Sequence, residues 1–158
     1  MKRAVATLLP TFFIAAAGAQ TPPAGWQVIK DNGKGRCQMA VPGEWKQSEI
    51  LGQKLGAAAA PDKSVDAVVN LMDDVGWSDF KSLVFQIYQK EKNAPKIEDT
   101  AKRMWFEVTS MGDSKKNTQW YVAVPGKAGT CNAQVNFRRG DKKAEELARK
   151  IVDSIRAS

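Results

Sequence analysis

The sequence contains no histidine and only two cysteines among its 158 residues. Histidine is the commonest general base and a member of the Ser-His and Cys-His catalytic arrangements, so its absence excludes those mechanisms and every metal site that needs an imidazole ligand. The two cysteines do not form a Cys-x-x-Cys motif, which argues against a redox-active pair. We therefore expect no catalytic site of a common type, no metal and no cofactor.

Long apolar runs are also missing, except at the N-terminus. The chain opens MKR, is mostly apolar from Ala4 to Ala17, and reads AGAQ from residue 17 onward. A basic start, an apolar segment and a small-x-small site are typical of a secretory signal peptide, and the run is shorter than the roughly 20 residues of a membrane-spanning helix. We expect residues 1–19 to be a signal peptide, residues 20–158 to form a single domain, and the protein to be periplasmic or secreted.

An exported chain meets an oxidising environment, so Cys37 and Cys131 are considered together. Each lies in an alternating segment, beside Met39 and Val41 in one case and Val135 in the other, and both sulfurs then face apolar surface. We predict a structural disulfide, which would contribute about 4 to 5 kcal/mol in the chain-entropy model. Two separate buried thiols are the alternative.

The first half of the chain has mainly strand patterns. Trp26–Lys30 and Arg36–Val41 flank an Asn-Gly turn and predict a β-hairpin. The segment Leu55–Ala60 is a strand or a tightly packed loop, and Val65–Met72 predicts a buried strand. A helix is then expected from Asp79, capped by Ser78, with a buried face at Phe80, Leu83, Val84, Ile87 and Tyr88, before Asn93-Ala94-Pro95 stops it.

The second half predicts strands followed by a helix. Lys96–Ser110 reads as one long strand or two joined by a bend, with Trp105 opposite to the apolar row, and the polar residues 111–117 follow as a turn. Two antiparallel strands are expected at 119–124 and 130–138. An amphipathic helix capped by Asp141 closes the chain, with its apolar stripe at Ala144, Leu147, Ala148, Ile151, Val152 and Ile155. This order predicts an α+β fold with a largely antiparallel sheet packed against two helices.

This order of elements, together with the strand ending Val41-Pro42-Gly43-Glu44-Trp45, resembles the PsbP-like fold, a grouping that includes DcrB-like bacterial envelope proteins. The resemblance covers nearly the whole chain after residue 19. It implies an adaptor or accessory subunit without catalysis, and therefore a binding role. It carries no catalytic or ligand-binding residues that can be transferred to this sequence.

Two acidic pairs, Asp73-Asp74 and Glu98-Asp99, are the candidates for carboxylate chemistry or a calcium site. Neighbouring residues of a strand point to opposite faces, so we expect solvated strand ends rather than convergent acids. Five tryptophans are present, and Trp45 and Trp77 lie beside turns. These two are candidates for a partly exposed contact patch, with packing in the core as the alternative.

The net charge is +7, which favours anionic contacts such as lipid headgroups or acidic proteins. Basic doublets lie at 102–103, 115–116, 138–139 and 142–143, and Trp105, Trp120 and Tyr121 are close to them in sequence. They allow a surface that stacks and binds phosphate, although a mixed solvated surface is the simpler interpretation. Export makes nucleic acid an unsuitable partner.

The sequence as a whole predicts an exported, non-catalytic binding or accessory domain of the bacterial envelope. Its expected partner is an envelope protein or a small apolar ligand. Two alternatives stay open. One is a hydrolase that uses carboxylates or lysine in place of histidine, and the other is a protein that binds anionic membrane surfaces through its basic doublets.

Overall fold

The computed structural model describes residues 21–31, 35–90, 96–108 and 115–158, with only the backbone described for 84–90. The predicted signal peptide, the turn at 32–34, the helix stop at 93–95 and most of the turn at 111–117 lie outside the described residues. The elements in chain order are β1 Trp26–Lys30, β2 Cys37–Pro42, β3 Lys46–Ile50, β4 Gln53–Ala59, β5 Val65–Asp73, α1 Trp77–Lys90, β6 Lys96–Asp99, β7 Met104–Val108, β8 Asn117–Gly126, β9 Gly129–Arg138, α2 Lys142–Asp153 and β10 Arg156–Ala157.

The strands form two sheets. The larger sheet has the order β3-β4-β5-β9-β8-β7-β6, and the smaller has the order β1-β2-β10. Every strand pair in the described residues is antiparallel. The predicted α+β class, the β1–β2 hairpin and the antiparallel pairing of β8 with β9 are confirmed.

One face of the large sheet is covered by α2 and the small sheet. Side chains of a strand alternate between faces, and on this face Val69 of β5 and Val135 of β9 join one buried cluster. The same cluster contains Ile29 and Val41 of the small sheet and Ile151 of α2. The main core therefore lies between the large sheet and this outer layer.

The opposite face of the large sheet carries a second, smaller core. Phe80 of α1 is fully buried there with Phe106 of β7 and Tyr121 of β8. The rings of Phe80 and Tyr121 stack with their centroids 6.2 Å apart, and those of Phe106 and Tyr121 stack at 5.2 Å. This stack attaches the first turns of α1 to the sheet.

The closing helix follows its prediction. The carboxylate of Asp141 accepts hydrogen bonds from the backbone N–H groups of Lys143 and Ala144, at 3.0 and 3.1 Å. It therefore satisfies donors that the first turn of a helix leaves without partners. Ala148 and Ile151 are buried on the predicted stripe.

The middle helix differs from its prediction. It begins at Trp77 rather than at Asp79, so Ser78 lies inside its first turn instead of capping it. Phe80 is buried as expected, but Leu83 is 42% exposed and does not belong to a buried face. Trp77 and Phe80 stack on each other in the first turn of the helix. The rest of the predicted buried face, Val84, Ile87 and Tyr88, falls on side chains outside the described residues.

The sequence patterns did not predict two of the strands, β3 and β10. β3 is an edge strand and is mostly exposed, so it lacks the apolar alternation by which strands are recognised. β10 has only two residues, which pair with Gln38 and Cys37 of β2. The predicted segment 55–60 is confirmed as a strand, since β4 covers most of it, and 96–108 forms two strands, β6 and β7.

Cys37 and Cys131 are joined in a disulfide, with their Cα atoms 5.5 Å apart. Both residues are buried. Because Cys37 lies in β2 and Cys131 in β9, the bond connects the small sheet to the centre of the large one. It closes a loop with a sequence separation of 94 residues.

Removing this bond with Cys37→Ala and Cys131→Ala together should lower the free energy of unfolding by about 4 to 5 kcal/mol, because the unfolded chain is no longer constrained by a long closed loop. Urea denaturation followed by tryptophan fluorescence measures the change. Reductant should then weaken the wild-type protein and leave the double variant unaffected. Equal stability of the two proteins without reductant would contradict a constraining role for the disulfide.

Candidate binding surfaces

The acidic pair at the end of β5 does not form a site. Oδ1 of Asp73 lies 3.2 Å from Nη1 of Arg36, in a solvent-exposed ion pair. Asp74 follows in the turn with a φ of 59°. The first acid is thus held by a cation of the neighbouring segment, and the second belongs to the turn.

The second acidic pair is split between the two faces of the sheet, as the alternation predicts. Glu98 accepts a hydrogen bond of 2.8 Å from Nε of Arg103, which also contacts Asp153 of α2. Asp99 instead pairs with Lys81 of α1. The hydrogen bond from Lys81 is the main cause that lowers the pKa of Asp99, opposed by some desolvation and assisted by Lys96. Such a carboxylate stays ionised and is a poor general acid.

Within the described ranges, no group of three or more acidic or cysteine side chains is placed to hold a metal ion. Among the helices of the same ranges, none combines the length and the hydropathy needed to cross a membrane.

Trp45 and Trp77 do not form one patch. Trp45 is only 4% exposed and belongs to the main core, because the turn after β2 folds it inward with its backbone N–H bonded to the carbonyl of Pro42. Trp77 is half-buried on the other face of the large sheet, stacked on Phe80 with centroids 6.0 Å apart. The prediction of an exposed contact at Trp45 is therefore wrong, and the alternative of core packing holds for it.

A different pair of tryptophans lies under two arginines. Trp105 of β7 and Trp120 of β8 meet edge to face with their centroids 5.0 Å apart. The guanidinium of Arg149, on α2, lies 5.2 Å from the first ring and 5.3 Å from the second. The guanidinium of Arg103 also lies over the first ring, 5.4 Å from its centroid. We call these four residues the arginine–tryptophan surface.

The two arginines differ in how their charge is used. Arg103 is held between Glu98 and Asp153, so its charge is balanced within the chain. Arg149 has its side chain 50% exposed and lies 3.8 Å from Glu145, a loose contact one helical turn away. The two rings hold the guanidinium of Arg149 in place by cation–π attraction while leaving it accessible to a partner.

The sequence indicated part of this surface. The doublet at 102–103 contributes Arg103, and the two tryptophans were noted near basic residues. Tyr121 points to the opposite face and joins the second core instead. Arg149 lies outside the apolar stripe predicted for its helix, and nothing in the local sequence shows that its side chain reaches the tryptophans of β7 and β8.

The hairpin of β3 and β4 forms the second candidate surface. Residues 48–54 are all exposed, and its two-residue turn consists of Leu51 and Gly52, with φ of 49° and 80°. Ile50 is 60% exposed and Leu51 is fully exposed. β4 pairs with β5 only from Ala57 to Ala59, so the ladder between the two strands ends at Ala57 although β5 continues to Asp73. We call residues 48–54 the hairpin arm.

Polar side chains line the uncovered part of the second sheet face. Nδ2 of Asn136 donates a hydrogen bond of 2.8 Å to Oδ1 of Asp66, which lies directly opposite on β5. Oδ1 of Asn136 is buried without a partner in the described residues. Burial raises the pKa of Asp66, against the opposing effect of this hydrogen bond.

Comparison with known proteins bears on the fold. No protein-family model matches the sequence, and no curated protein matches it. Among solved structures, the chain is similar to the solution structure of cyanobacterial PsbP (CyanoP) from Synechocystis sp. PCC 6803, with a TM-score of 0.55 and 11% identity. The match covers 92% of this chain and 99% of that one. The chain therefore has a PsbP-like fold, as the order of its elements predicted.

Asp66→Asn should raise the free energy of unfolding at neutral pH by about 1 kcal/mol. The neutral amide removes a buried charge, and its NH2 group can donate a hydrogen bond to Oδ1 of Asn136. The folded pKa of Asp66 lies above the unfolded value of 3.8, so its stabilising contribution is complete below that pH and is lost as pH rises through the folded pKa. The stability gained by Asp66→Asn should therefore be smaller below pH 3.8 than at neutral pH. Urea denaturation of the variant and the wild type under both conditions measures the difference.

Asp62→Asn is the matched control. Hydrogen bonds from Ser64 lower the pKa of Asp62, so ionisation of this acid is stabilising at neutral pH and is lost in acid. Its variant should show no gain at neutral pH. A gain of equal size in both variants would contradict the assignment to Asp66.

Proposed function

We propose that this chain is an exported, non-catalytic accessory domain that binds an acidic segment of a partner protein through the arginine–tryptophan surface. The position of Arg149 is the observation that carries the proposal. Its guanidinium is half-exposed, rests on two tryptophan rings and has only a loose contact with Glu145. Arginine and tryptophan are the residue types that most often dominate the binding energy of protein interfaces.

A protein fits this surface better than a small apolar ligand does. Trp105 and Trp120 are themselves buried, so the groups offered to a partner are guanidiniums and not apolar rings. A partner carboxylate can accept paired hydrogen bonds from such a guanidinium. The positive net charge of the chain would also attract an acidic partner over a distance.

The fold supports an accessory role. Proteins with a PsbP-like fold are typically not enzymes, and the acids considered for catalysis are engaged separately, Glu98 by Arg103, Asp99 by Lys81 and Asp73 by Arg36. A hydrolase needs two carboxyl groups facing one substrate. These contacts favour the binding role over the carboxylate-dependent hydrolase.

Export rests on two independent observations. The N-terminal pattern is typical of a signal peptide. The buried disulfide suits an oxidising compartment, since thiols in the cytosol are kept reduced. A periplasmic or secreted location is the proposal that accounts for both.

Arg149→Glu should abolish binding to the partner, because it places a like charge opposite the partner's acids. The protein and its variants would be recovered from their own cells and measured by native mass spectrometry. We expect the wild type to be bound to a second protein in fixed stoichiometry. Its own chain should begin near Gln20, and its mass should be lower by two hydrogens because of the disulfide.

Lys150→Glu is the matched control, since Lys150 is the exposed neighbour of Arg149 on the same helix and carries the same charge. The complex should survive this change. The proposal fails if all three proteins are bare monomers, or if both variants lose the partner equally. It also fails if the purified protein shows turnover that disappears when Asp73, Asp74, Glu98 or Asp99 is substituted.

A further inference from the structure

The hairpin arm has a tip that neither folding nor solubility explains. A two-residue turn with positive φ at both positions has the geometry of a type I′ turn, which strongly favours Asn-Gly. Here its first position holds Leu51, and a side chain without hydrogen-bonding groups is unfavourable in the left-handed region. An asparagine would suit both the backbone and the solvent better.

The arm also stands clear of the rest of the protein. All residues from Ser48 to Lys54 are exposed. At about 3.3 Å per residue, the three exposed residues of β3 before the turn span roughly 10 Å along the strand. At the base of the arm, Gly56 of β4 packs so close to the backbone of Val69 and Lys30 that a side chain would not fit there. The base of the arm is therefore closely packed, and its exposed end carries Ile50 and Leu51.

We propose that the hairpin arm inserts Ile50 and Leu51 into the interfacial layer of a lipid bilayer. The tip carries two aliphatic side chains, Ile50 and Leu51, with Gln53 directly opposite Ile50. The residues behind it are polar, and Glu49 lies directly opposite Lys54, so their charges compensate each other. These polar residues would lie among the lipid headgroups, and the two apolar side chains would reach the boundary with the acyl chains.

The composition of the arm favours lipid over a protein pocket. Residues 48–54 read SEILGQK and contain no tryptophan, tyrosine or arginine, the types that anchor protein interfaces. Aliphatic side chains gain from leaving water without needing a specific partner. Without residues 1–19, which contain Lys2 and Arg3, the chain has 22 basic and 17 acidic residues, and this net charge of +5 adds attraction toward anionic headgroups. This surface is separate from the arginine–tryptophan surface, and its failure would leave the proposed function untouched.

Cosedimentation with vesicles of equal parts phosphatidylcholine and phosphatidylglycerol tests the proposal. The purified wild-type protein should bind, and Ile50→Thr with Leu51→Asn should weaken binding by about tenfold for each side chain replaced. All proteins share the same N-terminal segment, so binding by that segment cancels in the comparison. The single variant Leu51→Asn should also raise the urea midpoint, because asparagine suits the turn, and this separates loss of binding from loss of folding.

Ile97→Thr is the matched control, because Ile97 is a 43% exposed isoleucine on β6, the strand at the opposite edge of the large sheet. It should bind vesicles as the wild type does. Two results would overturn the proposal: no binding by the wild type, or binding by the double variant that matches the wild type. The first would direct the search for an arm partner to proteins. The second, where salt also removes the binding, would assign it to the basic residues.

Discussion

The pairing of β5 with β9 at the centre of the large sheet is the constraint on which the rest of the structure depends. The two strands are in register from Val65 opposite Phe137 to Asp73 opposite Gly129; on one face their side chains belong to the main core, and on the other face they are mostly polar. The apolar face needs a cover. α2 and the small sheet supply one, and the disulfide holds that sheet to β9. Phe80 of α1 packs on the other face, toward β7 and β8.

Both proposed surfaces lie where this cover ends. The arginine–tryptophan surface lies at the margin of α2, where Arg149 overlies β7 and β8. The hairpin arm lies at the other side of the sheet, where β4 outruns its pairing with β5. Because one surface is charged and the other aliphatic, they suit different partners.

The similarity to cyanobacterial PsbP at 11% identity shows how little of this fold depends on particular side chains. Alternating apolar residues and closing helices can be filled by many residue combinations of suitable volume. Function therefore has to be argued from the surfaces of this chain. Here the exposed Arg149 and the exposed Leu51 are informative, since neither residue is needed where it lies for packing.

Local patterns in the sequence were sufficient for the class of fold, the β1–β2 hairpin and the capped closing helix, because side-chain alternation, turn residues and helix caps depend on short segments. The pairing of Cys37 with Cys131 was inferred from the expected oxidising compartment and from the apolar surface that both sulfurs face. The local patterns did not reveal β3, whose exposed edge lacks alternation, or the true start of α1. They left Trp45 undecided between an exposed contact and the core, since a tryptophan beside a turn looks the same whether it folds inward or outward. Only tertiary structure brought Arg149 onto two tryptophans and left Leu51 projecting, because both depend on which distant element covers which part of the sheet.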